Sequence, residues 1–196
     1  MIKNARESIK SAFTELYLQK AIDRITVDAI CKRAYISRSS FYKNYSGINA
    51  VVNEIEGEVE KEMQRIYVDY NYQNFMDIDP RYPSPSFVEM FRCVLRFRDF
   101  FDAAYSDHGN PSFYHRSKRL IRENLKKSIS TRIESEEHQE IICDICSDYI
   151  IICCKMIIKY EDRLSPKGMA IEVKKHIIDF VNNEKLYIEG ETIPLT

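Results

Sequence analysis

Apolar residues in this chain recur at three- and four-residue intervals over long stretches, and no two-residue alternation persists long enough for a strand. The pattern predicts an all-α protein. A first helix over about 4–20 carries Ile9, Ala12, Phe13, Leu16 and Tyr17 on one face. Two short helices follow, over 27–34 and 38–45, with Thr26 and Ser37 placed as N-caps. A long helix over about 47–70 turns Val51, Val52, Ile55, Val59, Met63 and Ile66 inward. The segment 72–86 holds Pro80, Pro83 and Pro85 without periodicity, so a loop is expected there, the most mobile part of the chain. Further helices are predicted over 87–105, 111–133, 136–161 and 165–183, the last opened by Ser165-Pro166 as cap and first-turn proline. The last dozen residues read as a loose tail. The five glycines and six prolines cluster between these segments, as breakers in a helical chain should.

Two helices carry more than a core-facing stripe. Over 136–161, Ile142, Ile145, Tyr149, Ile152 and Met156 form one apolar band, and Ile151, Cys154 and Ile158 another. Only Asp144, Asp148, Lys155 and Lys159 make a narrow polar strip. A helix apolar on nearly all sides must be covered on nearly all sides. Helices 136–161 and 165–183 are therefore expected to pack against their copies across a two-fold axis, making a homodimer. In helix 87–105, Arg98 falls near the centre of an apolar face that includes Phe91, Val94, Phe97 and Phe101. It either pairs with Asp102 or an acid on another helix, or anchors an acidic effector in an aromatic pocket. Phe97, Arg98, Phe101 and Tyr149 are the candidate ligand-binding residues.

A chain with 44% apolar and 30% charged residues buries a real core, and its net charge of −1 hides an asymmetry. Residues 1–46 hold nine Lys/Arg against four acids, whereas the remainder holds 20 against 26. A basic head on an acidic body points to a polyanionic partner at the N-terminus. Four of the six cysteines lie within 143–154 on one predicted helix, and buried reduced thiols are the expected state. Cys143-x-x-Cys146 lacks a histidine at ligand spacing, so no metal site or cofactor is expected. No Ser/His/Asp set, glycine-rich phosphate loop or pair of histidines marks an enzyme. No apolar leader is visible, and the longest apolar stretch, 141–158, is interrupted by Asp144, Asp148 and Lys155. Neither secretion nor membrane insertion is expected, and the cytoplasm is the expected location.

The two short helices, over residues 26–45, have the form of a helix-turn-helix. In that motif the second helix enters the major groove with its N-terminal residues at base edges. Here it offers Arg38, Ser39 and Ser40, types that bond to bases, followed by Tyr42, Lys43 and Asn44, types suited to phosphates. Thr26, Ser37 and Gly47 stand at helix N-termini, where backbone N–H groups favour phosphate. Ala29, Ile30, Ala34, Ile36 and Phe41 are the expected small core between the helices.

This region resembles the DNA-binding domain of TetR-family transcriptional regulators. Their pattern approximates Thr-x-x-x-Ile-Ala-x-x-Ala-Gly-Val-Ser-x-Gly-Thr-Leu-Tyr-x-His-Phe, followed by a Lys at the next helix. The chain matches at Thr26, Ile30, Ala34, Ile36, Ser37, Phe41, Tyr42 and Tyr45, counting conservative exchanges. It departs at Cys31, at Tyr35 (turn glycine), at Ser39 and Ser40 (Gly-Thr), at Asn44 (His) and at Ile48 (Lys). The resemblance implies a DNA-binding domain over 1–46 and a helical regulatory and dimerisation domain over 47–196. It implies a homodimer on a pseudo-palindromic double-stranded operator, expected to be a repressor released by a small-molecule effector. The alternative is the same fold controlled by a protein partner.

Overall fold

Helix boundaries in this chain are written in its capping residues. The computed structural model describes residues 4–70 and 74–182, and the expected C-terminal tail lies outside them. Among the described residues all regular structure is helical: α1 (Ala5–Tyr17), α2 (Val27–Ala34), α3 (Arg38–Asn44), α4 (Ile48–Tyr70), α5 (Pro85–Arg96), α6 (Arg98–Ala104), α7 (Pro111–Ile129), α8 (Glu136–Lys159) and α9 (Pro166–Asn182). Side-chain oxygens of Asn4, Thr26, Ser37, Asn110 and Ser135 each accept from a backbone N–H in the first turn of the helix that follows. Such a cap satisfies a donor that the helix leaves open and contributes about 1 kcal/mol.

One continuous core runs from Ile9 and Phe13 in α1 to Ile177 and Val181 in α9. Helices α1–α3 form a small head, with α1 packed on α2, α3, α4 and α6. The body is built around α5, which packs against α4, α8 and α9, while α7 lies on α8. Long α4 belongs to both parts, so any tilt of α4 in the body moves the head.

Two expectations require correction. The single helix over 87–105 is two helices, broken at Phe97, whose φ of −106° and ψ of 27° leave the helical region. No glycine or proline marks the break, so helical periodicity gives no warning of it. Its effect is to change which residues face inward. Phe100 turns into the core, where its ring lies 6.2 Å from Tyr17 and 5.1 Å from Phe113. Arg98 turns outward, where it donates to both Glu161 carboxylate oxygens at 2.7 and 2.6 Å.

The proline-bearing loop is also held more firmly than its composition suggests. Phe75 packs on Phe87 with ring centroids 5.1 Å apart, and Ser84 is buried. The side chain of Lys174 on α9 is fully buried, and its ammonium donates to the carbonyls of Ile78 at 3.3 Å, Asp79 at 2.6 Å and Tyr82. Desolvation pulls that ammonium below the usual lysine range. Lys174→Met removes the donor from all three carbonyls. The expected result is a loss of about 1–3 kcal/mol in stability, with faster amide exchange in residues 78–82. Unchanged exchange there would mean that other contacts hold the loop.

Candidate nucleic-acid interface and inner cavity

The head is locked from within before it can present anything outside. Ile30, Phe41 and Tyr45 are buried, with Ala29, Ala34 and Ile36 partly buried around them. The Phe41 and Tyr45 rings lie 6.1 Å apart. The Tyr45 hydroxyl donates to Glu54 on α4 at 3.1 Å, and Arg6 on α1 binds the same carboxylate. Arg6 also stacks on the Tyr45 ring at 4.5 Å and donates to the Asn44 carbonyl at 3.2 Å. Arg6 above all, with help from Tyr45, lowers the Glu54 pKa, and burial raises that of Tyr45 to about 12. This cluster fixes the C-terminal end of α3 on α1 and α4.

The opposite surface of α3 is open. Arg38, Ser39, Tyr42 and Lys43 are exposed, and Ser40 and Asn44 are partly so. The Ser37 oxygen accepts from the Ser40 N–H at 3.1 Å, and Thr26 caps α2 through the Ala29 N–H at 3.2 Å. Asn44 donates to the Ser40 carbonyl at 2.8 Å, which commits its amide nitrogen within the helix. Arg38 rests against Asp28 at 3.2 Å, with both side chains mostly exposed. Separating such an exposed pair costs about 1 kcal/mol or less, so the guanidinium is available to a stronger acceptor. Gly47 stands immediately before α4, where a Cβ would meet nothing within 4 Å; the site needs no glycine for space.

The basic head is less free than its composition suggests. Arg6 binds Glu54, Lys10 binds Glu58 at 2.7 Å, and Arg33 binds Glu15 at 2.9 Å. Two of these acids, Glu54 and Glu58, come from α4, beyond the basic window. A count along the sequence assigns them to the acidic body.

Tyr35 takes the turn between α2 and α3. It has φ 55° and ψ 44°, the one non-glycine residue with positive φ among the described residues, and its side chain is 95% exposed. The left-handed conformation costs a side-chain-bearing residue about 1–2 kcal/mol, and glycine's extra chain entropy costs about 0.5–1 kcal/mol. The first term is larger, so Tyr35→Gly is expected to raise stability, by less than about 1 kcal/mol. Chemical denaturation checks the sign.

In the body, a cavity of about 380 Å³ opens between α4 and α7 above α5, α6 and α8. Its size is that of small-molecule sites. Val59, Met90, Val94, Phe101, Phe113 and Ile121 form buried apolar walls. Tyr67, Tyr105, Ser117 and the Cys154 thiol add polar atoms, and Gln64, Arg119 and Glu123 are exposed at its mouth. Burial raises the pKa of both phenols and of the thiol, so all three are neutral in the physiological range.

Of the four candidate ligand residues, Phe101 lines this cavity and the others do not. Phe97 and Arg98 border a separate surface groove beside α1. Arg98 is held on the surface by Glu161, so of its two expected roles it takes the pairing with an acid beyond its own helix and not that of an effector anchor. Tyr149 packs against His176 of α9 at 5.5 Å. Phenols and arginines are common in amphipathic helices, so spacing does not single out Tyr67, Tyr105 and Arg116, and only packing brings them together.

The cavity wall is tied to the head. Arg116 donates to Glu60 at 2.6 Å and also binds Glu56, a buried carboxylate on α4. Asn110, the cap of α7, donates to Glu56 at 2.9 Å, and its backbone N–H donates to the Tyr17 hydroxyl at 2.8 Å. His108 donates to the Tyr17 carbonyl at 2.9 Å. One polar chain therefore runs from the cavity through α7 and α4 to α1.

A helix-turn-helix head on an all-helical body is the architecture of a transcriptional regulator. The family model TetR_C_8, a transcriptional regulator C-terminal region, matches residues 81–179, half of the chain. The chain belongs to the TetR family of transcriptional regulators, a family of regulators and not of enzymes. No curated protein matches it significantly in sequence. Among solved structures, a TetR transcriptional regulator from Streptococcus agalactiae 2603V is similar at 15% identity and a TM-score of 0.59, over 90% of this chain and 93% of that one. NalD, the secondary repressor of the MexAB-OprM multidrug efflux pump in Pseudomonas aeruginosa, matches at 13% identity and 0.59, over 90% and 94%. The dihydroxyacetone kinase operon activator DhaS matches at 16% and 0.53, over 90% and 93%. At these identities the likeness is one of fold. Among the described residues no helix is long and apolar enough to cross a membrane.

Proposed function

We propose that this regulator is a homodimer that binds a pseudo-palindromic DNA site through α2 and α3 and leaves it when a small molecule occupies the inner cavity. The observation that carries the DNA reading is the division of α3: Phe41 and the following Tyr45 are locked inside, while Arg38, Ser39, Tyr42 and Lys43 face out. Arg38 and Ser39 stand where base edges are reached, and Lys43 and Tyr42 where phosphates are. Thr26, Ser37, Ser40, Asn44 and Gly47 support them as caps or phosphate neighbours. This reading keeps residues 1–46 as the DNA-binding unit and 47–196 as the regulatory one.

The second copy is supported by α8. Ile145, Ile152 and Met156 are 40%, 56% and 40% exposed, spaced seven and four residues apart on one side of the helix. His176 of adjacent α9 flanks the same strip through Tyr149. The 380 Å³ cavity favours a small-molecule effector over a protein partner. An effector acts only through its difference in affinity between DNA-competent and incompetent conformers. Repression is the simplest outcome, since a bound dimer excludes other proteins from its site. The same fold occurs in proteins described as a repressor, NalD, and as an activator, DhaS.

The test begins with selection of an operator from random duplexes by the full chain. Arg38→Ala should then cost about 1–3 kcal/mol and relax preference at one base pair. Lys43→Ala should weaken all sequences alike and reduce the salt slope by about 1. Equal losses on every operator variant would make Arg38 a phosphate contact, and failure to enrich any sequence would overturn the reading.

A further inference from the structure

We infer that the inner cavity selects a largely apolar ligand carrying a neutral hydroxyl or carbonyl group, and discriminates against carboxylates. The inference deepens the effector reading above and rests on it only for the consequence of binding. The buried walls are apolar, and the Arg116 guanidinium is shared by two carboxylates. Arg116 is held by Glu60 at 2.6 Å and by Glu56, and Arg119 faces Glu123 at 3.9 Å.

Those pairs determine what the site accepts. A ligand carboxylate reaching Arg116 would join Glu60 and Glu56, whose side chain is only 8% exposed, on one guanidinium. A third carboxylate there is repelled by the two of like sign already in place. What the cavity does offer is neutral. The Tyr67 hydroxyl has the Met90 thioether at 3.8 Å as its neighbour, a weak acceptor. A ligand oxygen is a better one. The Tyr105 hydroxyl lies beside Ser117 within the same lining. Two neutral phenols in an apolar enclosure suit a ketone, ester, lactone or alcohol, whose oxygen accepts a hydrogen bond without bringing a charge to be desolvated.

The experiment uses the full chain and the neutral fluorophore N-phenyl-1-naphthylamine, competed by 2-decanone and decanoate, which share an alkyl chain and differ in head-group charge. The ketone should displace the probe at about tenfold lower concentration than decanoate. Displacement by decanoate at equal or lower concentration would overturn the inference. Tyr67→Phe combined with Tyr105→Phe should weaken the ketone by about fivefold or more, with the probe itself little affected. An undiminished ketone affinity would remove the phenols from the proposal. Leu120→Trp, or Ser117→Leu if the first does not fold, fills the cavity and should abolish probe binding; persistent binding would place the site elsewhere. Operator affinity is measured in parallel. A saturated cavity with unchanged DNA binding would sink the effector reading and leave the ligand class standing, whereas preferential binding of an ion that releases DNA would do the reverse.

Discussion

Ile152→Glu is expected to convert the proposed dimer to a monomer and to lower operator affinity by about 100-fold or more. Ile152 is 56% exposed at the middle of the apolar strip on α8, with Ile145 and Met156 on either side. A carboxylate there has water around it in the monomer, so folding is spared. In the dimer it would be desolvated against an apolar copy of the same strip, and two such charges would face each other across the axis. Losing the second copy makes each half-site contact independent, which removes the effective-concentration gain of linked binding. Sedimentation and operator titration check both parts. A variant that stays dimeric would move the interface off α8.

Arg116→Ala has the next largest expected effect. It leaves Glu56 with Asn110 as its remaining partner and releases Glu60. Removing one partner of a fully buried ion pair costs about 3–5 kcal/mol. Arg116 is about a third exposed and Asn110 remains, so about 2 kcal/mol is expected here. Glu56→Gln combined with Arg116→Met should recover most of the loss, because it removes the stranded charge as well. The double variant should also respond more weakly to any effector, since the link from cavity wall to α4 is gone. Thermal denaturation and operator titration with and without the neutral ketone separate the two consequences. Full coupling in the double variant would assign transmission to packing alone.

Much of the head was legible because its signals are local. Thr26 and Ser37 cap the helices that the pattern places after them, and Phe41 is buried as helical spacing expects. The turn was legible too, since Tyr35 occupies a position where the family pattern has glycine and the backbone there is left-handed. The body was less readable. Periodicity cannot see the break at Phe97, because neither flanking residue is a helix breaker and the next turn simply reorients to pack on α1. That one break misplaced Arg98 and hid Phe100.

Charge shows the same division. The basic excess in residues 1–46 is real in the sequence, but Arg6 and Lys10 are committed to Glu54 and Glu58 of α4. The proline-rich loop looked free, yet a lysine more than ninety residues away along the chain, Lys174, holds it by three carbonyls. The Ile152 strip stood out as apolar in the sequence, and the structure leaves it exposed in the single chain.

By itself the sequence determined the helical class, the caps, the helix-turn-helix and the residues it turns outward. Those depend on interactions within a few residues, which spacing and side-chain type report directly. Only the tertiary structure decided which cations are spent, where α5 yields to α6, and which phenols and ion pairs enclose the cavity. Those depend on partners from distant helices, and an amphipathic pattern says that a face is buried without saying against what.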